Sequence, residues 1–230
     1  MQRSEINGLV KEAEEFLEQF RFKLPPWASW DLDTWRKESP RTRQIRERYL
    51  GWDLTDFGQG DFFKRGLLLF TIRNGDPRKR ASKTYAEKIL VIRDNQETPY
   101  HFHWQKTEDI INRGGGTLVL ELTPADHTTE EPAQDDFTVY VDGIARKCEP
   151  RHRVRLEPGE SITLEPYLYH RFWAEGGAVL AGEVSKVNDD KRDNRFLEPL
   201  GRFPRVEEDD APYRLLVFDY DNPEFGLNDR

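Results

Sequence analysis

The stretch PYHFHWQKTEDIINRGGG, residues 99–116, carries the most informative pattern in the chain. His101 and His103 stand two residues apart, and Glu108 follows five residues later. Side chains at positions i and i+2 of a strand share a face, so a strand here directs both imidazoles to one side. Glu108, just past that strand, returns a carboxylate to the same point. The pattern predicts a site for one divalent metal ion, and the glycines at 114–116 predict a tight turn into the next strand.

A third imidazole follows in the stretch PGESITLEPYLYH, residues 158–170. It places His170 eleven residues after Gly159, beyond a short run that favours a strand. His127 and His152, the other two of five histidines, are interpreted as ordinary surface or hydrogen-bonded residues. Three imidazoles and one carboxylate leave one or two coordination positions open. Open positions indicate a metal that meets substrate, since structural sites are closed.

The two stretches together resemble the two motifs of the cupin superfamily. The first motif reads His-x-His, three or four residues, Glu and then a glycine, and the second has a glycine eleven residues before its histidine. Pro166 lies one place later than the usual proline, and Tyr167 stands where a glycine is common. The resemblance implies an all-β fold, a cupin-type antiparallel β-barrel of the jelly-roll kind, with His101, His103, Glu108 and His170 as the metal ligands.

Periodicity divides the chain into a helical first part and a β-rich remainder. Apolar residues at three- and four-residue steps between Ile6 and Phe20 predict a helix that ends at Pro25 and Pro26. An irregular aromatic segment, 27–35, and a short helix over 41–49 should follow. We therefore expect a helical extension over 1–64, packed on a barrel over 65–230 with a long loop at 187–210. Ten runs read as strands: 66–73, 87–93, 98–104, 116–122, 137–141, 152–156, 161–164, 170–174, 178–186 and 213–220. The pairs at 142–143, 158–159 and 176–177 are turn signals.

Composition excludes several classes of function. Charged residues make up 34% of the 230, but aromatics reach 12%, which favours a folded protein. A formal net charge of −8 argues against a surface that binds the phosphate backbone of a nucleic acid, so no nucleic-acid partner is expected. Cys148, the only cysteine, excludes an internal disulfide. The chain shows neither the apolar core of a secretory signal nor a membrane-spanning run, so we expect a cytoplasmic protein with no membrane partner.

More of the sequence resembles a particular cupin family, the D-lyxose isomerases. The resemblance covers roughly residues 85–196 and rests on the runs EKILVIR (87–93), residues 101–116, EVSKVNDD (183–190) and DN (193–194). It implies an aldose–ketose isomerase that interconverts D-lyxose with D-xylulose, and often D-mannose with D-fructose. It also implies one divalent ion per chain, Mn²⁺ before Co²⁺ or Zn²⁺, a monosaccharide as the small-molecule substrate, and a homodimer.

Isomerisation also needs a group that moves a proton between C1 and C2 of the open-chain sugar. Lys106 and Glu183 are the candidate catalytic acid and base, although Lys106 could instead be a solvated lysine at the rim and Glu183 half of an ion pair. Trp104, Phe172 and Trp173 are interpreted first as packing and second as sugar-stacking residues. The candidates for binding sugar hydroxyls come from the long loop, where Asp and Asn are also common turn residues: Asp190, Asp193 and Asn194.

Two other classes of function use the same ligands. A non-haem iron dioxygenase cupin needs an oxygen-binding pocket but no acid–base pair, and a non-catalytic sugar-binding or storage cupin turns nothing over. Lys106 and Glu183, together with the run at 108–116, discriminate among the three. A storage or sensor protein has no chemical reason to carry them together, so the sequence favours the isomerase.

Overall fold

Antiparallel strands form the body of the molecule, which confirms the all-β class. The computed structural model describes residues 1–79, 81–187, 192–201 and 203–227. Within this part of the chain the strands are β1 (Gly51–Thr55), β2 (Leu67–Arg73), β3 (Tyr85–Ile92), β4 (Thr98–Phe102), β5 (Glu108–Pro124), β6 (Phe137–Val141), β7 (Ile144–Cys148), β8 (His152–Leu156), β9 (Ser161–Leu164), β10 (Leu168–Lys186) and β11 (Arg195–Phe196). β1, β7 and β11 are strands that the sequence did not predict, and β11 lies within the segment expected to be a long loop.

Two long strands organise the sheet. β10 pairs with β3 along one edge and with β5 along the other, and its first part also pairs with β4. β5 in turn pairs with β8 and β9, and β9 leads on to the β6–β7 hairpin. β1 and β2 extend the sheet beyond β3. This arrangement brings β4, β5 and β10, the three strands that carry the predicted ligands, side by side.

The glycines expected at turns lie inside these long strands. Residues 114–116 and 176–177 were predicted to reverse the chain, but β5 and β10 continue through them with shifts in register. Gly115 has φ +100°, and a Cβ there would lie 2.1 Å from the carbonyl oxygen of Ala178. The glycines therefore permit a β-bulge and close contact between two strands rather than a turn. The other two turn signals are confirmed, since 142–143 joins β6 to β7 and 158–159 separates β8 from β9.

The helices lie in the first fifth of the chain. They are α1 (Arg3–Gln19), α2 (Leu32–Glu38) and α3 (Arg43–Glu47). α1 ends before the two prolines, because Arg21 already has φ +54°. The segment expected to be irregular contains the start of α2, where the Asp31 carboxylate accepts a hydrogen bond from the Thr34 amide at 2.8 Å. None of the helices in the described ranges has the length and apolarity that crossing a membrane requires.

Successive side chains of β1, β2 and β3 point to opposite faces of the sheet, and apolar side chains are buried on both faces. The odd positions of β2, Leu67 and Leu69, face the interior, and the even positions, Leu68 and Phe70, pack under α1. Asp53 in β1 and Lys88 in β3 share the interior face with the leucines. Apolar side chains on the outer face of these strands pack against α1 and hold the helix there. Polar side chains on the inner face of the same strands reach the cavity.

The run at 213–220 was predicted to be a closing strand, and that prediction is wrong. It forms one bridge, between Trp52 and Leu216, and then a 3₁₀ turn over Val217–Asp219. The Asp219 carboxylate accepts a hydrogen bond from the Leu216 amide at 2.8 Å and two more from the buried guanidinium of Arg3. These bonds bend the backbone out of the sheet, because one side chain captures the amide that a strand would use for pairing.

Candidate metal centre and active site

Three imidazoles converge between β4 and β10. His101 and His170 are paired in register on these strands, with ring centroids 4.1 Å apart, and His103 follows directly after β4. One ring nitrogen from each of the three lies within 4.8 Å of the others. The two sequence stretches, separated by 41 residues, thus meet at one point. This group could hold a metal ion.

Hydrogen bonds fix how each imidazole is presented. A backbone carbonyl can only accept, so Nδ1 of each ring carries the proton and donates it. The acceptors are Pro99 O at 2.8 Å from His101, Asp193 O at 2.6 Å from His103 and Leu168 O at 2.9 Å from His170. This leaves Nε2 of each ring with a free lone pair.

The unprotonated nitrogens provide a test of whether a metal fits. Nε2 of His103 and Nε2 of His170 are both buried, and neither forms a hydrogen bond within the described part of the chain. Buried polar atoms in native structures normally have partners. Two inward-facing imidazole nitrogens without one are what a divalent cation requires, so the residues present fit a metal ion.

Glu108, the predicted fourth donor, lies beside the imidazoles. It is the first residue of β5, and its Oε1 lies 3.4 Å from Nε2 of His103 and 3.2 Å from Nε2 of His170. The other oxygen, Oε2, lies 2.5 Å from Nζ of Lys106. One carboxylate thus faces the imidazoles with one oxygen and an ammonium group with the other.

The electrostatics of this cluster favour the protonation states that metal binding needs. Burial, and then the neighbouring His170 and His103, lower the pKa of His101 well below its usual range. Burial, and then the charge of Lys106, lower the pKa of His103. Burial opposes ionisation of Glu108, but the neighbouring charge of Lys106 outweighs it and holds the pKa of that carboxyl well below its usual value. The site therefore offers neutral imidazoles and an ionised carboxylate.

A buried ion-pair chain runs from the ligands to the opposite strands. Nζ of Lys106 lies 3.1 Å from Oε1 of Glu183, and Nζ of Lys88 lies 3.2 Å from the same oxygen. The hydroxyl of Ser185 donates to that oxygen at 3.1 Å. Both lysines and Glu183 are less than a tenth exposed. The rim position considered for Lys106 is thus wrong, and the ion pair considered for Glu183 is present within the site.

These side chains share one cavity of about 460 Å³. Its polar lining contains the imidazoles of His101 and His103 and the charged groups described above, and apolar side chains cover much of the remainder. They include Phe57, Leu67, Leu69, Leu90, Phe172, Phe196 and Leu200. One wall of the cavity carries charged groups and another is apolar. Its volume is suitable for a small polar molecule.

The three residues predicted to bind sugar hydroxyls have separate outcomes. Asn194 lines the cavity. Asp193 supports the site through hydrogen bonds. Its carbonyl accepts from Nδ1 of His103, and its carboxylate accepts from the Gln105 amide at 3.0 Å. Asp190 lies outside the described residues.

Sequence reasoning missed several residues on the cavity wall. Lys88 interrupts the apolar run of β3, and Asp53 does the same in β1. A charged residue at an inward position of a strand was the available signal, but the register that turns it inward depends on distant partners. Phe172 faces the cavity, whereas Trp104 and Trp173 donate to glutamates elsewhere.

Tyr167 keeps the backbone geometry of the residue type it replaces. Its φ is +61°, the left-handed region in which glycine is at ease. Its amide donates to His103 O at 3.0 Å, and its carbonyl accepts from the Ala125 amide at 2.8 Å. The turn before His170 is therefore preserved by hydrogen bonds in spite of the substitution.

Known proteins resemble this chain along nearly its whole length. The sequence model of the D-lyxose isomerase family matches residues 1–220. A D-lyxose/D-mannose isomerase of Serratia proteamaculans is 47% identical over 224 residues, which is 96% of this chain and 98% of that protein. One of Escherichia coli O157:H7 has the same identity and coverage.

Solved structures of low sequence identity share the fold. The ligand-free L-ribose isomerase of Cellulomonas parahominis superposes with a TM-score of 0.60 at 14% identity, covering 90% of this chain and 98% of its own. That of Acinetobacter sp. DL28 with L-ribose gives 0.58 at 15% identity, covering 89% and 98%. The common architecture is the cupin-type antiparallel barrel that the two motifs predicted. The chain belongs to the D-lyxose isomerase family and is a sugar isomerase.

Proposed function

We propose that the protein is a metal-dependent aldose–ketose isomerase that interconverts D-lyxose with D-xylulose and D-mannose with D-fructose. The observation that carries the proposal is one cavity lined by His101, His103, Glu108 and the Lys106–Glu183 pair. His170 adds a third imidazole, with a ring nitrogen within 4.8 Å of those of His101 and His103. The names of the 47% identical relatives support the choice of sugars. Mn²⁺ as the ion and a homodimer as the assembly rest on the family resemblance.

The donor set is His101, His103, Glu108 and His170. A divalent ion held there would act as a Lewis acid on the two oxygens at C1 and C2 and stabilise the enediolate. Every ligand except Glu108 is uncharged, so a bound divalent ion keeps a net positive charge toward the substrate.

Glu183 is the better candidate for the base that removes the proton from C2. Lys106, as an ammonium group within 3.1 Å of two carboxylates, has no lone pair to accept a proton. Its N–H groups can instead donate to a sugar oxygen. With Glu108 assigned to the metal, Glu183 is the remaining carboxylate in contact with Lys106. We assign Asn194, which lines the cavity, to binding a hydroxyl further along the sugar.

The selectivity expected is for the C2 and C3 configuration that lyxose and mannose share. D-xylose and D-glucose should react poorly, because their C2 hydroxyl points to the other face and moves the C2 proton away from a fixed base. This expectation rests on the relatives' names.

The decisive experiment follows D-lyxose by ¹H NMR in the presence of protein and Mn²⁺. D-xylulose signals should appear, and D-mannose should yield D-fructose. A His101→Ala, His170→Ala double variant is the control and should be inactive. If protein with bound Mn²⁺ produced no ketose, the proposal would be overturned. Uptake of dissolved oxygen would then favour a dioxygenase, and binding of sugar without turnover would favour a sugar-binding protein. Faster turnover of D-xylose than of D-lyxose would remove the substrate assignment.

A further inference from the structure

The connection between β5 and β6 contains a glutamate with an unusual backbone. Glu130 has φ +60°, in the left-handed region that residues with a Cβ seldom occupy. Its amide donates to the carbonyl of Asp126 at 2.8 Å, which closes a tight loop. Strained non-glycine residues tend to persist where the side chain they carry has a use.

Glu130 receives hydrogen bonds from three separate parts of the fold. Nε1–H of Trp104, after β4, donates to Oε1 at 2.7 Å. The hydroxyl of Tyr169, in β10, donates to the backbone carbonyl at 2.9 Å. Nε–H of Arg195, in β11, donates to Oε2 at 3.3 Å. Both carboxylate oxygens and the carbonyl are thus occupied by different elements.

Two of these donors are immediate neighbours of candidate ligands. Trp104 follows His103 in the chain, and Tyr169 precedes His170. Adjacent residues share a peptide unit, so a bond that fixes one also limits the movement of the other's backbone. Glu130 therefore holds the residues next to two candidate ligands without lining the cavity itself.

The third donor leads to the acceptor that orients an imidazole. Arg195 pairs with Phe102 in the β11–β4 ladder and lies two residues after Asp193. The Asp193 carbonyl accepts the Nδ1 proton of His103 at 2.6 Å. Anchoring Arg195 holds that carbonyl in place, and the carbonyl in turn keeps Nε2 of His103 unprotonated and directed inward.

We propose that Glu130 is a positioning residue for the metal centre, which joins β10, the end of β4 and the segment 192–196 behind the imidazoles. The inference rests on the proposed metal site and assigns to that site a support lying in a loop distant from it in sequence. Residues behind metal ligands that fix their orientation are worth about 10- to 100-fold in metal affinity or activity.

Glu131 provides a matched control. It is the next residue in the loop and is also acidic, but its closest approach to Arg195 is 3.9 Å and its side chain is 63% exposed. A general effect of negative charge near β11 would be shared by both glutamates. A positioning effect belongs to Glu130 alone.

The test compares Glu130→Ala, Glu130→Gln and Glu131→Ala with the wild type in two measurements. The first is the dissociation constant for Mn²⁺, measured by electron paramagnetic resonance of free Mn²⁺. We expect Glu130→Ala to raise it by about 10- to 100-fold. Glu130→Gln should raise it less, since one amide oxygen still accepts from Trp104 while the amide nitrogen faces Arg195. Glu131→Ala should leave it unchanged.

The second measurement reads the imidazole directly. Long-range ¹H–¹⁵N spectra of metal-free, ¹⁵N-histidine protein should show His103 protonated at Nδ1 in the wild type and a mixture of tautomers in Glu130→Ala. An unchanged tautomer together with unchanged Mn²⁺ affinity would overturn the inference. If the wild type itself bound no Mn²⁺, the metal proposal would fail, but the tautomer result would still decide the role of Glu130. Glu130→Gln takes over both measurements if Glu130→Ala does not fold.

Discussion

Oε2 of Glu108 lies 2.5 Å from Nζ of Lys106, while its Oε1 faces two imidazoles. The carboxylate thus joins the imidazole cluster to Lys106. Lys106 continues the connection to Glu183 at 3.1 Å. In the proposed mechanism, the charge of a metal ion held by the imidazoles would act on the Lys106–Glu183 pair, because the intervening contacts are buried and poorly screened.

The acid–base pair should be separable from metal binding by conservative substitutions. Lys106→Met and Glu183→Gln should each lower kcat by about a hundred- to ten-thousand-fold, the contribution typical of a positioned acid or base, with the ion still bound. Steady-state kinetics with D-lyxose and elemental analysis of the same samples measure both quantities.

Lys186→Met is the control for that pair. Lys186 is also in β10, but it is exposed and donates to the Gln105 carbonyl outside the cavity. Its replacement should leave kcat near that of the wild type. Near-normal turnover in both Lys106→Met and Glu183→Gln would exclude these residues from the mechanism.

Metal content should depend on the clustered histidines and not on the exposed ones. Purified protein should hold close to one divalent ion per chain, EDTA should abolish activity, and Mn²⁺ or Co²⁺ should restore it. A His101→Ala, His170→Ala double variant should lose the ion, because two of the four donors are removed. His152→Ala is the control, because His152 is an exposed residue at the start of β8. Unchanged metal content in the double variant, measured by elemental analysis, would refute the ligand assignment.

The clustering of the three imidazoles could be predicted from sequence because their geometry is mostly local. The alternation of a strand places His101 and His103 without knowledge of the rest of the fold. The eleven-residue spacing between Gly159 and His170 likewise predicts the third imidazole without knowledge of its partner strand. The predicted fold class rests on the same two stretches, since their order matches a familiar barrel.

What the sequence did not reveal depends on pairings between distant strands. Lys88 reaches Glu183 because β3 and β10 pair with these two residues opposite each other, a register that no local pattern specifies. β1 is only five residues long, with a glycine and an aspartate, so its propensity for strand is weak. Leu215 and Leu216 suggested a strand, but the nearby Asp219 determines their conformation, and Asp219 is held by Arg3 from the other end of the chain.

The buried ion pair between Arg3 and Asp219 should be a major determinant of stability. The guanidinium is fully buried and donates to both Asp219 oxygens at 3.0 and 2.8 Å. Arg3→Met leaves the carboxylate of Asp219 buried without its charged partner, so the free energy of unfolding should fall by about 3–5 kcal/mol. Urea unfolding followed by circular dichroism measures this loss.

An exposed ion pair serves as the comparison. Arg43 and Glu47 are four residues apart on α3, with side chains 72% and 44% exposed. Arg43→Met should therefore lower the free energy of unfolding by less than about 1 kcal/mol. Losses of equal size in the two variants would show that burial of the Arg3 pair has no special weight.

Acid should destabilise the metal-free protein through its buried imidazoles. Burial lowers the pKa of His101 and of His103 below the ordinary value of 6.5. Below that pH the unfolded chain binds protons that the folded chain does not, so the free energy of unfolding falls as pH decreases. Each such group contributes at most about 1.4 kcal/mol per pH unit. Glu108, whose pKa is also lowered, adds a loss in the same direction below its ordinary value of 4.5.

Urea unfolding of EDTA-treated protein at pH 7, 6 and 5 measures this slope. His101→Gln should flatten it, because one titrating group is removed, and His152→Gln should leave it as in the wild type. An equal slope in His101→Gln and the wild type would mean that His101 titrates no differently in the folded and unfolded chains.

The route of the proton can be followed with deuterium. An enediolate mechanism requires a protein base to take the proton from C2, and we assign that base to Glu183. A protonated carboxylate exchanges with solvent, so part of the hydrogen delivered to C1 should come from the medium. A hydride shift needs no base and would carry the original hydrogen directly from C2 to C1. D-xylulose formed from D-lyxose in D₂O should therefore contain deuterium at C1, which ¹H NMR detects as loss of signal intensity. Glu183→Gln should slow turnover and incorporation together, whereas the exposed Lys186→Met control should change neither. A second experiment starts from D-lyxose labelled with deuterium at C2 in ordinary water. If the label appeared in full at C1 of D-xylulose, and no solvent hydrogen entered in either experiment, the hydrogen would move as hydride and Glu183 would not be the base.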